Sequence, residues 1–182
     1  PLPKKKAHQL KIELHQPEDK GYFIDGKVID QQGKPKRCLM LVDTGAAFTV
    51  IPRNIADKLK YEVVRQVDLS VRGIGDQFEE STQEIRFNWS TRTREPVGTL
   101  RGIDTAYILN IERDYIILGE NALRTARISL EHQSILWPEC GDVPLYRRSQ
   151  LITNAAPKLV ECRHLAVTNA KPSYDNPTAA WP

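Results

Sequence analysis

Alternating apolar and polar positions divide the first 137 residues into a series of short strands. The segments LKIEL (residues 10–14) and GYFIDGKVID (residues 21–30) alternate in the way that is typical of half-buried strands. The turn segment QQGKPK then leads into the apolar run RCLMLV, so residues 21–42 are predicted to form a hairpin.

The same reading continues through the middle of the chain. AFTVIP is strand-like, and PRNIADKLK is predicted to be a short helix, because proline suits the first helical turn. Residues 63–72 and 77–89 form two arms around the glycine-containing tip GIGD, which is a strong hairpin signal. Later strands are predicted at residues 100–109 and 114–118, one or two helical turns in GENALRTA, and two closing strands in RISLEHQSILW.

The pattern changes after residue 137. Residues 138–182 contain widely spaced prolines, few aliphatic runs and no clear period. We therefore predict a basic N-terminal arm over residues 1–9, one mainly β domain with two short helices over residues 10–137, and an extended or disordered tail over residues 138–182.

Composition adds limits rather than a function. The chain has 182 residues with 27% charged residues and a net charge of +3, which suits one globular domain. Its basic clusters are read as solvated surface or linker charges, so nucleic acid is not expected as a partner. Three cysteines without a CxxC spacing predict neither a disulfide framework nor a zinc site, and they favour a reducing compartment. No apolar run is long enough to predict a membrane span.

One stretch, LMLVDTGAAFTVIP, requires a chemical explanation. Asp43 ends an apolar strand, where a buried carboxylate is costly. An Asp-Thr-Gly triplet can simply form a turn, and an aspartate after a strand can bind a metal ion. The flanking residues contribute no further carboxylates, so no metal is predicted here.

The order of motifs resembles the retroviral-type aspartic proteases, the retropepsins. LVDTGAAFTVIP resembles their active-site loop, VRGIGD their flap tip, and DYIILGENAL their final strand and C-terminal helix. The resemblance spans about residues 10–137. It implies a closed, β-barrel-like acid-protease fold with one lobe per chain, active as a symmetric homodimer, without a cofactor.

The resemblance also assigns roles to individual residues. Asp43 is the predicted catalytic residue, and Thr44 is expected to hydrogen-bond across the dimer axis. The small residues after Asp43 are expected to leave room for substrate, and the flap tip to close over it. The predicted substrate-binding residues are Gly45, Ala46, Ala47, Arg72, Gly73, Ile74 and Gly75.

The predicted chemistry needs two carboxylates. Two that lie close together share one proton, so one can act as a base towards water while the other acts as an acid towards the substrate carbonyl. The near-repeat Asp104-Thr105-Ala106 lacks the glycine, so the second Asp43 is expected from a second chain. The chain ends LKIEL and QSILW are expected to contribute to the dimer interface.

The resulting prediction is an intracellular aspartic endopeptidase, located in the cytoplasm or a virus-like particle. Its expected partners are a second copy of itself and polypeptide substrates, in particular the polyprotein of a retrovirus-like element. The alternative is an adaptor or dimerisation module of the same fold with little or no proteolysis. A nucleic-acid-binding fragment is the third reading, which a salt-dependent affinity for nucleic acid would support.

Overall fold

Twelve strands and three short helices are present in the computed structural model, which describes residues 9–10, 21–72, 78–138 and 140–152. The strands are β1 Gln9–Leu10, β2 Tyr22–Ile29, β3 Pro35–Val42, β4 Val50–Pro52, β5 Tyr61–Arg72, β6 Phe78–Thr93, β7 Gly98–Leu109, β8 Tyr115–Leu118, β9 Arg127–Ser129, β10 Ser134–Trp137, β11 Gly141–Pro144 and β12 Tyr146–Arg147. The helices are α1 Arg53–Ala56, α2 Glu120–Leu123 and α3 Arg148–Ile152.

Six strands close into a barrel in the order β6-β7-β4-β8-β3-β2. The closure is made where Gly26, Lys27 and Val28 of β2 pair with residues 89–91 of β6. The predicted mainly β class and closed barrel are therefore confirmed. Strand β4 lies between β7, to which it is parallel, and β8, to which it is antiparallel at residue 50. This arrangement brings the chain after β3 and the chain after β8 together.

Both faces of several barrel strands are apolar, because each face meets a different core. Inward side chains such as Met40, Phe87 and Ile116 fill the barrel. On β3 and β8 the alternate residues, including Leu41 and Ile117, belong to a second cluster. This second cluster also contains Ala46 from the loop after β3. The strands RCLMLV and YIIL accordingly read as near-continuous apolar runs.

The folded part of the chain continues beyond residue 137, where the sequence analysis placed the domain boundary. Strand β12 pairs with β2, and Leu145 and Leu151 are 1% and 3% exposed. The helix α3 is also a third helix, where two were predicted. These elements escaped prediction because each is short: neither residue of β12 is fully buried, and Leu151 is the buried side chain that α3 contributes.

Strand β10, the segment SILW, is not available for a dimer interface as expected. One of its edges pairs with β9 and the other with β11, and Ile135 is fully buried. That expectation was wrong because the second edge is covered by a strand from the predicted tail.

Several predicted segments lie outside the described residues. They include the flap-tip residues 73–77, residues 153–182, and most of the N-terminal arm and of LKIEL. From those two N-terminal segments, the described residues are Gln9 and Leu10, which form β1. None of the three described helices has the length and apolar character needed to span a bilayer.

Candidate active site

The loop of residues 43–49 continues directly from the central barrel strand β3. The backbone N–H of Asp43 donates a hydrogen bond to the carbonyl oxygen of Leu118 on β8, at 3.1 Å. The N–H of Ala46 donates to the carbonyl oxygen of Asp43 at 3.2 Å, which forms a tight turn. The position of Asp43 is therefore fixed by the strand before it and by the strand beside it.

The carboxylate of Asp43 is oriented by its own loop. Its Oδ1 atom accepts a hydrogen bond from the N–H of Gly45 at 2.9 Å. Asp43 is partly buried, whereas Thr44 and Gly45 are exposed. The single chain thus leaves this carboxylate part of its solvation, which reduces the cost that the sequence analysis expected at a buried strand end.

A polar network holds the loop from behind. The side-chain oxygen of Asn121 accepts hydrogen bonds from the N–H and the hydroxyl of Thr49, at 2.7 and 2.9 Å. The amide nitrogen of Asn121 donates to the carbonyl oxygen of Thr105 at 2.7 Å, and the N–H of Gly119 donates to the Thr49 hydroxyl. Thr49 has no exposed surface, so this network joins α2, β7 and the loop away from solvent.

Gly119 permits the close approach of the two chain segments. A β-carbon at this position would lie 2.3 Å from the backbone carbon and oxygen of Phe48. One residue later, the N–H of Glu120 donates to the carbonyl oxygen of Ala46 at 2.7 Å. Residues 116–119 therefore pack directly behind the Asp43 loop.

The predicted substrate-binding residues divide into three groups. Gly45 is exposed at the loop, and Ala47 is partly buried. The side chain of Ala46 is fully buried in the second apolar cluster, so only neighbouring atoms of the loop reach the surface there. Arg72 is the last residue of β5, and Gly73, Ile74 and Gly75 lie outside the described residues.

The near-repeat Asp104-Thr105-Ala106 lies within strand β7 rather than in a loop. The Oδ2 atom of Asp104 accepts a hydrogen bond from the indole nitrogen of Trp89 at 2.6 Å. Burial raises the pKa of Asp104, and the Trp89 hydrogen bond acts in the opposite direction. Asp104 is thus part of the barrel wall and does not form a second active-site loop.

Sequence reasoning did not identify Thr49, Thr105 or the supporting role of Asn121. Their hydrogen bonds join residues 16 to 72 positions apart in the chain. Asn121 follows the apolar run YIIL after two residues, Gly119 and Glu120. This position at the end of a buried strand was the sequence signal for its role.

A cavity lies elsewhere in the domain. It has a volume of about 710 Å³ and is enclosed by the β2–β3 turn, the α1 region and Asp114, with Cys38 and Asn54 in its wall. Residues 43–49 do not line it. Among the described residues, no group of three or more histidine, cysteine, aspartate or glutamate side chains could hold a metal ion.

Comparison with known proteins agrees with this loop and barrel. A family model described as "Aspartyl protease" matches residues 24–121, just over half of the chain and including the whole Asp43 loop. The chain belongs to the aspartyl protease family. The retropepsin-like aspartic protease family recognised from the three motifs is thereby confirmed.

Two solved structures resemble this aspartyl protease family member at low sequence identity. The retroviral protease-like domain of Ddi1 from Leishmania major is 14% identical with a TM-score of 0.49, and the match covers 69% of this chain and 94% of that domain. The foamy viral protease-reverse transcriptase, solved with an RNA/DNA hybrid, is 13% identical with a TM-score of 0.27 over 56% of this chain. This chain covers 12% of that protein. No curated protein sequence gives a significant match.

Proposed function

We propose that this chain is an aspartic endopeptidase in which two copies of Asp43, one from each protomer of a homodimer, hydrolyse a peptide bond. The observation that carries the proposal is the partly exposed Asp43 carboxylate, held by the Gly45 N–H and flanked by exposed Thr44. The described part of one chain holds one such loop, so the second carboxylate comes from a partner.

The reaction divides the work between the two carboxylates. The ionised Asp43 takes a proton from a water molecule, whose oxygen attacks the peptide carbonyl carbon. The protonated Asp43 gives its proton to the carbonyl oxygen. The C–N bond of the resulting tetrahedral species then breaks as one Asp43 carboxyl group protonates the leaving nitrogen and the other Asp43 carboxylate takes a proton from a hydroxyl group on the same carbon. This sequence releases a carboxylic acid and an amine and returns the shared proton.

Thr44 and the flap are assigned supporting roles in this proposal. The exposed Thr44 hydroxyl hydrogen-bonds across the two-fold axis and fixes the two loops relative to each other. Residues 72–75 close over an extended peptide, and the peptide backbone hydrogen-bonds to the backbone of these residues in the manner of an added strand. Gly45 offers its backbone to the same peptide without a side-chain obstacle.

The proposed substrate is the polyprotein of a retrovirus-like element that contains this chain, cut inside the cell. The motif order supports the retroviral type, and the cysteine pattern supports a reducing compartment.

Cleavage of a longer precursor tests the proposal. The purified precursor, containing the chain and its own flanks, is compared with Asp43→Asn, and the products are identified by mass. We expect cutting by the unmodified chain and a loss of about 10²–10⁴-fold in Asp43→Asn, because acid-base catalysis is removed. Asp57→Asn, an exposed aspartate beside the large cavity, is the matched control and should cut normally.

Mixing tests the shared site. An excess of inactive Asp43→Asn protein should suppress the unmodified protein's activity, because mixed dimers carry one carboxylate. Undiminished activity would contradict the dimer. Absence of cutting by either protein, at high concentration and from acidic to neutral pH, would instead favour the adaptor function.

A further inference from the structure

Four exposed cations lie on the outer surface of the barrel, and we name them the basic face: Lys27 on β2, Arg37 on β3, Arg92 on β6 and Arg101 on β7. Their strands are neighbours in the sheet, in the order β7-β6-β2-β3. The four residues come from distant parts of the sequence. Arg92 belongs to one of the basic clusters of the sequence, but no basic run contains the four residues together.

The strand register places three of these cations in one row. Arg101 is opposite Ser90, Ser90 is opposite Lys27, and Lys27 is opposite Arg37. Neighbouring strands are about 4.8 Å apart, so the row is about 14 Å long. Arg92 lies two residues beyond Ser90 on the same side of β6, about 7 Å along the strand. The face therefore presents positive charge at repeated, short intervals.

Little on the face neutralises this charge. Arg37 pairs with Asp25 at 2.6 Å, and Arg86, further along β6, pairs with Glu62 of β5 at 3.3 Å. Within the described part of the chain, no carboxylate forms an ion pair with Lys27, Arg92 or Arg101. An array of like charges on one surface stores electrostatic repulsion that a polyanion would relieve.

We propose that the basic face binds the sugar-phosphate backbone of nucleic acid, without base specificity. Arg92, Arg101 and Lys27 form no ion pair among the described residues and lie near the hydroxyls of Ser90 and Thr99. These are side-chain types that contact phosphates. Among the described residues, the face carries no exposed aromatic side chain that could anchor a protein partner or stack on a base, so its contacts would be made to phosphates. These features favour a nucleic acid over an acidic protein.

The basic face is separate from the proposed active site. Arg37 precedes Asp43 by six residues on β3, which corresponds to about 20 Å along an extended strand. Binding here would retain the protein on a nucleic acid and leave the Asp43 loop free. The inference goes beyond the proposed peptidase and does not depend on it.

Fluorescence anisotropy with the full chain and a labelled 20-nucleotide oligouridine tests this inference. Each phosphate contact contributes about −0.7 to the slope of log K against log salt on single strands, so three contacts give a slope of about −2. We expect affinity to fall about 20-fold between 50 and 200 mM NaCl.

Two triple charge-reversal variants distinguish binding at the basic face from an effect of the protein's net charge. Lys27→Glu, Arg92→Glu and Arg101→Glu together should weaken binding at least tenfold at 50 mM NaCl. Lys34→Glu, Lys60→Glu and Arg124→Glu together reverse three exposed charges outside the face and should change binding less than threefold. Thermal melting of both variants checks that each is folded.

Several results would overturn the inference. Equal weakening by the two triple variants would show an effect of net charge alone, and no binding at 50 mM NaCl would remove the site. A 20-residue polyglutamate peptide serves as competitor. If it displaces oligouridine at the same molar concentration as unlabelled oligouridine does, the face binds acidic polypeptides instead.

Discussion

The two ends of strand β3 present their polar groups in opposite ways. At the C-terminal end, Asp43 is partly exposed and its carboxylate is oriented by the Gly45 N–H. Nearer the N-terminal end, Cys38 is buried beside the cavity of about 710 Å³, and burial raises its thiol pKa to about 12. The cavity is bordered by a thiol that burial keeps protonated, whereas the loop presents a partly exposed carboxylate outside the cavity.

Under the proposed function, cavity volume is a poor guide to the active site in a single chain. A dimer in which each protomer supplies half of the site encloses it only after assembly. The chemistry must therefore be located by the group that is presented and by the atoms that hold it. The following changes act on one end of β3 at a time.

Gly119→Ala should have the largest effect on the Asp43 end. The new methyl group would lie 2.3 Å from Phe48 backbone atoms, which cannot rotate away. We expect the free energy of unfolding, measured by urea denaturation, to fall by about 3 kcal/mol, and peptidase activity to be lost. Gly98→Ala is the control. Its nearest contact is 3.4 Å, and its stability should change by less than about 1 kcal/mol. Similar losses in both variants would contradict a specific clash at the loop.

Asn121→Ala should have a smaller effect at the same end. It removes the acceptor of both Thr49 hydrogen bonds and the donor to Thr105. We expect a loss of about 2–3 kcal/mol in urea denaturation, because buried polar groups lose their partners. Asn121→Asp keeps the acceptor for the Thr49 hydrogen bonds. Its free energy of unfolding should therefore lie between those of the unmodified chain and Asn121→Ala. If Asn121→Ala lost stability but kept full peptidase activity, the network would not be what positions Asp43.

Cys38 should make the free energy of unfolding depend on pH only in the alkaline range. Its pKa is raised from 9.0 to about 12 in the folded chain, so folding keeps the thiol protonated. The associated stability is complete below pH 9 and is lost as pH rises from 9 towards 12. We expect the stability advantage of the unmodified chain over Cys38→Ala to shrink by about 2 kcal/mol between pH 8 and pH 10.5.

Urea denaturation at the two pH values measures this change. Cys140→Ala, which removes an exposed thiol, controls for general alkaline effects and should keep a constant difference from the unmodified chain. A constant difference for Cys38→Ala as well would mean that its thiol ionises equally readily in the folded and unfolded chains.

Local patterns were enough to predict the strands of the barrel and the Asp43 loop. Apolar runs such as RCLMLV and YIIL are contiguous in sequence, and the Asp-Thr-Gly triplet follows the first directly. The Asn121 network and the row from Arg101 to Arg37 could not be predicted, because each depends on which distant strands become neighbours. The end of the domain was misplaced for a related reason, since β12 and α3 gain stability from β2 rather than from their own sequence.

The segment after β10 also determines how the gene for this domain can be cut for expression. A chain ending at residue 137 would lack Val143, Leu145 and Leu151, all of them buried. It would also leave one edge of β10 and one edge of β2 open to pairing with other molecules, a route to aggregation. A recombinant boundary should therefore be placed after residue 152, so that the domain retains the strands that cap its own sheet edges.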